Sequence, residues 1–161
     1  MATLEHAVRT GRLDRLGLPE WEKRASVRPF YATPGFVQWA DQTAALHDHE
    51  KAIGGRTMFE HLRQMVCEFQ CSPRLHASDI RRMVPTRHGI WHLYPPGLRI
   101  YGWCPAKHAF VAVTGALERE TKTINGLNDR KRDEVHRFIA TNDLQETVVR
   151  GDFSVIFPHE D

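Results

Sequence analysis

No run of apolar residues in this chain approaches the roughly 20 that a membrane-spanning helix needs, so a helical membrane protein is not expected. The opening stretch MATLEHAVRTGRLDR has no apolar signal core, so export is not expected and a cytoplasmic location is. Cysteine is scarce: the three present cannot all pair with one another, which fits a reducing compartment better than secretion. Cys67 and Cys71 stand four apart in an expected helix, a spacing open to a metal. No CxxC and no partnered histidine pair completes such a set, so buried thiols are expected, with no metal and no cofactor.

What is present fits one soluble domain with room for a real core. The chain has 161 residues, 41% hydrophobic and 26% charged. Its net charge of +2 hides an asymmetry: residues 71–137 hold 12 Lys and Arg against 6 Asp and Glu. A basic half on a near-neutral protein is either a footprint for a polyanion or a solvated surface, and charge alone does not separate the two.

Along the chain, residues 1–26 read as a helical extension broken by Gly11, Gly17 and Pro19, with Leu13, Leu16, Leu18 and Trp21 free to dock. Val27–Thr33 alternates like a strand and ends at Pro34-Gly35. A helix is expected from Phe36 to Ile53, with Phe36, Trp39, Ala40 and Ala44 on one face. His47-Asp48-His49-Glu50 in it invites a metal, but His47 and His49 point to different faces, so an exposed polar turn is the better reading. Thr57 with Glu60 forms a capping box for a second helix that stops at Ser72-Pro73, and the two helices make a hairpin.

Three strands follow: Ile90–Tyr94, Leu98–Cys104 and the most apolar, His108–Thr114, expected at the centre. Alternation puts Arg99, Tyr101 and Trp103 on one face of the second strand. Gly115 to Gly126 reads as a polar connection, and Asn128 or Asp129 as the cap of a helix reaching about Thr141. Residues 143–161 form a C-terminal extension in which Val148-Val149 and Phe153–Phe157 suggest an added hairpin or strand.

SPRLHASDIRRM, GIWHLYPPGLRIYGW, HAFVAVTG and RKRDEVHRFIA follow one another in an order and spacing that resembles the RelE/HigB toxins of type II toxin–antitoxin modules, over residues 27–142. The resemblance implies an α+β, RelE-like fold: a small antiparallel-rich sheet covered on one face by an α-helical hairpin, with a further C-terminal helix. It also implies a ribosome-dependent mRNA endonuclease (an mRNA interferase) that works without metal in the 30S A site, inhibits translation and arrests bacterial growth. A cognate antitoxin protein is the implied partner. Residue by residue, Arg99 matches the arginine that steadies the scissile phosphate, His92 a strand position used in proton transfer, and His136 a helical position facing the cut. Arg119 and Lys122 match the basic turn, although Glu118 and Glu120 interleave there and the loop is longer than the family's. Arg82, Arg130, Lys131 and Tyr101 join the implied RNA-binding set.

The chemistry suits these residue types. The RNA 2′-OH attacks the adjacent phosphorus, a base and an acid move protons, and cations stabilise the extra charge. Histidine titrates near ~6.5 and can serve either proton role, while arginine binds phosphate bidentately. Tyr101 and Trp103 are candidates for stacking on a base, with core packing favoured for Trp103. Two other readings stay open: a ParE-like relative that binds DNA gyrase without catalysis, and a non-toxic protein-binding module.

Overall fold

In chain order the elements are α1 (Leu4–Arg9), β1 (Asp14–Arg15), β2 (Phe30–Ala32), α2 (Pro34–His47), α3 (Met58–Cys71), β3 (Ile80–Arg82), β4 (Ile90–Leu93), β5 (Leu98–Trp103), β6 (Phe110–Leu117), α4 (Glu118–Thr123), α5 (Leu127–Thr141) and α6 (Phe153–Ile156). They come from a computed structural model that describes residues 1–17, 28–47 and 53–158. Leu18, Trp21, Val27 and the Asp48-His49-Glu50 turn lie outside the described residues. The architecture is α+β, with one mixed open sheet of six strands in the order β1-β2-β6-β5-β4-β3. Among the described residues, no helix is long and apolar enough to cross a membrane.

β6 organises the sheet. All eight of its residues, FVAVTGAL, are buried, as expected of a strand covered on both faces. It pairs in parallel with β2 and antiparallel with β5, and β5, β4 and β3 continue antiparallel from there. The sheet is therefore covered on two faces. On the first, α2, α3 and the tail bury Phe30, Phe69, Phe110, Leu98, Ile100, Trp91 and Phe157. Phe69 meets Phe30 and Phe157 edge-on at ring separations of 5.5 and 6.0 Å. On the second, α1 and α5 bury Tyr101, Trp103, Val111, Val135 and Ile139.

Local chemistry sets the ends of these elements. The Thr57 hydroxyl accepts from Glu60 N at 3.2 Å and Glu60 returns to Thr57 N at 2.8 Å, so the expected capping box starts α3. Gly102 lies at the irregularity in the β5–β6 pairing, where a Cβ would stand 1.7 Å from the Val111 carbonyl oxygen. Only glycine permits that approach.

Several expectations need correction. The third strand begins at Phe110, because His108 has φ 60, and it runs on to Leu117. Gly115 is inside it, packed so closely on Trp39 that a Cβ would fall 2.3 Å from the ring. The rest of the expected polar connection is α4, whose Glu120 accepts from Leu117 N at 3.3 Å. Neither Asn128 nor Asp129 caps α5, since Gly126 in the left-handed region (φ 73) precedes it and Asn128 falls in its first turn. The tail adds no strand among the described residues. Asp152 accepts from Val155 N and starts α6, because Phe153, Ile156 and Phe157 share a helical face turned to the core. Of the cysteines, only Cys104 is buried; Cys67 and Cys71 are half-buried, and none is in a disulfide.

The amino-terminal residues are built into this fold. β1 pairs with β2, and Ala7 and Leu13 are buried in the second core. Leu13→Ala is therefore expected to cost about 2–5 kcal/mol in urea unfolding of the full chain. A loss below about 0.5 kcal/mol would mean that the segment is only loosely attached.

A cationic candidate active site across the sheet

The candidate site grows from one row of side chains. Strand register places Arg81 of β3 opposite His92 of β4, His92 opposite Tyr101 of β5, and Tyr101 opposite Thr114 of β6. All four belong to the face that α5 covers, since their neighbours Ile80, Leu93 and Ile100 point into the other core. The first turns of α5 close one end of the row. The Tyr101 hydroxyl donates to Asn128 Oδ1, and Lys131 Nζ donates to Thr114 Oγ1 at 3.2 Å. Burial pushes the Tyr101 phenol up to about 12, so it is a neutral structural donor there.

Beyond α5 the row opens to solvent at its other end. Tyr94 follows β4, and its hydroxyl lies 2.6 Å from His92 Nε2. The Arg99 and Arg81 guanidinium carbons stand 4.4 and 5.0 Å from the centre of the Tyr94 ring, within cation–π range. Glu118 at the start of α4 holds Arg99 at 3.1 Å and Lys122 at 2.8 Å. The bond from Lys122 and the charge of Arg99 lower the Glu118 carboxyl against its partial burial. A carboxylate thus sits between two cations.

His92 is half-buried, and its environment disfavours the imidazolium. Burial first, then the charges of Arg99 and Arg81, lower it to about 4. It is neutral at pH 7, with roughly one ring in a thousand protonated. Its Nδ1 is buried without a hydrogen-bond partner. Burial also raises the Tyr94 phenol, while Arg81 and Arg99 oppose that rise.

The fold brings His92, Arg99, Tyr101 and Lys131 together and places Lys122 beside them through Glu118. It does not bring the others. His136 stacks on the ring of His88 at 4.9 Å. His88 lies in the turn Thr86–His88 before β4, separated from the strand by the left-handed Gly89 (φ 66). Arg119 reaches back to His47 Nδ1 at 3.2 Å. Arg82 points to the opposite face and donates to the Gly151 carbonyl at 2.9 Å. Arg130 is exposed in the first turn of α5. Trp103 is buried, with Nε1 donating to Thr147 Oγ1 at 3.2 Å, so it packs the core.

Two residues of the cluster were missed from sequence, Arg81 and Tyr94. Alternation from Ile80 carries the signal for Arg81, because an inward isoleucine puts the next residue, and not Arg82, on the face of His92. Tyr94 ends the expected strand Ile90–Tyr94 at the same two-residue spacing from His92, so alternation carried its signal too, although β4 itself stops at Leu93.

The cluster is partly open: Arg81 and Lys122 are exposed, His92 and Tyr94 are half-buried, and the Arg99 side chain is 16% exposed. The apolar groove of about 290 Å³ between α3 and the β4–β5 turn touches Tyr94 but neither His92 nor Arg99. A partly exposed cationic face outside any enclosed groove suits an extended polyanion better than a small enclosed ligand. Among the described residues there is no group of three or more His, Cys, Asp or Glu side chains placed to share a metal ion. Compared with known proteins, the chain matches no family model, no curated protein and no solved structure.

The lowered His92 has a consequence for stability. Unfolded, this histidine takes a proton near ~6.5, whereas folded it does so only near about 4. The unfolded chain therefore binds more protons in that window, and stability present above pH ~6.5 falls as the pH drops toward 4, by roughly 2–3 kcal/mol from this group. His88, lowered by burial and by His136, contributes in the same direction. Urea unfolding at pH 7 and 4.5 should show a smaller acid loss for His92→Gln than for the wild type. Equal losses would show that His92 is not held neutral.

Proposed function

We propose that this chain is a RelE/HigB-like toxin of a type II toxin–antitoxin module, and that it cleaves mRNA endonucleolytically in the ribosomal 30S A site. The observation that carries the reading is the grouping of Arg81, Arg99 and Lys122 around the His92–Tyr94 pair on an open sheet face. The order of a strand, a helical hairpin, an antiparallel meander and a last long helix supports it as well.

In this reading, Arg99 and Arg81 take the scissile phosphate, with Arg99 leaving Glu118 to do so. Their fixed charge offsets the negative charge that accumulates when the 2′-oxygen attacks phosphorus. His136 on α5 packs against His88 and not against His92, so Tyr94, bonded to His92, takes the proton-transfer role in its place. A cognate antitoxin is expected to cover the cationic face, since its charge is exposed in the free chain.

The test is inducible expression in bacteria followed by 5′-end mapping of cellular RNA. Wild type should arrest growth and cut messages at ribosome-bound codons. Arg99→Ala should lower cleavage by about 10²–10³-fold, and His136→Ala should not alter the cut pattern. Growth arrest with intact mRNA would reject the nuclease and leave a ParE-like action on gyrase. Absence of any growth defect would leave a non-toxic binding module.

A further inference from the structure

We infer that Tyr94 is the catalytic proton donor of this site, giving its phenolic proton to the 5′-oxygen that leaves, and that His92 is a positioning residue that stays neutral and donates its Nε2–H to the Tyr94 oxygen. This deepens the nuclease reading and rests on it.

The hydrogen-bond arithmetic around Tyr94 leads there. A phenol oxygen can accept two hydrogen bonds and donate one. Arg81, which has only donors, stands over the Tyr94 ring with its guanidinium carbon 5.0 Å from the centre and takes no proton from the hydroxyl. His92 Nε2, at 2.6 Å, fills one acceptor position if it carries the proton. The second ring nitrogen, Nδ1, is buried and unpartnered, and an orphaned lone pair there is tolerated better than an orphaned N–H. With Nε2–H donating to the phenol oxygen, the Tyr94 O–H turns away from His92 toward the open side of the cluster.

The surroundings suit a donor of this kind. A neutral imidazole that donates does not need the protonated ring that burial and two arginines disfavour. The phenol is protonated at neutral pH and loses its proton into a field of two arginines and an N–H, which stabilises the phenolate. In the balanced step, the 2′-oxygen forms a bond to phosphorus and its proton passes to water. The bond from phosphorus to the 5′-oxygen breaks, and that oxygen takes the Tyr94 proton. The products are a 2′,3′-cyclic phosphate and a 5′-hydroxyl, and the phenolate regains a proton from water.

The experiment uses the full chain with programmed ribosomes and mRNA under single-turnover conditions. Tyr94→Phe should slow cleavage by about 10²-fold or more. With sulfur replacing the 5′-oxygen at the cut, the leaving group needs no proton, and Tyr94→Phe should then match the wild type. A defect of the same size on the sulfur substrate would overturn the inference. His92→Gln, which keeps an N–H donor, should stay within about tenfold of the wild type while His92→Ala falls much further; equal losses would make His92 a base and overturn the inference. The tautomer is read separately, on the wild-type protein, by long-range 1H–15N spectra at pH 7. A neutral ring protonated at Nε2 supports the arrangement, and one protonated at Nδ1, or at both nitrogens, overturns it whether or not RNA is cut. If the wild type cuts no message on the ribosome, the function fails, and the spectrum still decides the His92–Tyr94 geometry.

Discussion

Everything in this molecule leans on the double burial of β6. A strand with no face left for water must be covered twice, and the two covers are recruited from opposite ends of the chain. The helical hairpin α2–α3 arrives before the meander and takes one face; α5 arrives after it and takes the other. Parallel pairing of β2 with β6 then locks the beginning of the fold to its end. Such pairing requires a long connection, and here the hairpin and the remaining strands together supply it.

The two faces have different tasks. Helices and tail aromatics fill the first apart from the groove between α3 and the β4–β5 turn. The second is filled only where α1 and α5 lie, and past the start of α5 the sheet carries arginines, a histidine and a tyrosine in place of aliphatic side chains. These cations are not deeply buried, so they avoid the heavy desolvation that isolated interior charges suffer. An aromatic ring and one carboxylate keep them in place. That arrangement holds a positive field ready and leaves it open to an incoming anion.

Sequence patterning revealed a good part of this, for identifiable reasons. The α3 capping box and the meander were legible because each depends on neighbours in the chain. Alternation in β5 correctly grouped Arg99 with Tyr101. What escaped depends on partners far away. Asp14-Arg15 is polar and only two residues long, and becomes a strand solely because β2 lies beside it. His136 was grouped with His92 because a helix facing a sheet says nothing about which of its turns lies over which residue. Arg82 was preferred to Arg81 because no strand was assigned there, so no alternation was applied. The tail is a different case: Asp152 followed by Phe153, Ile156 and Phe157 is a helical signal. The β-prone residues around it obscured that signal.

The two outermost strands, β1 and β3, are two and three residues long. A sheet ending in such short ladders offers an approaching sheet almost nothing to pair with, and exposed arginines at both margins add charge repulsion between copies. The molecule can thus carry a highly apolar central strand and still resist edge-to-edge polymerisation at high concentration.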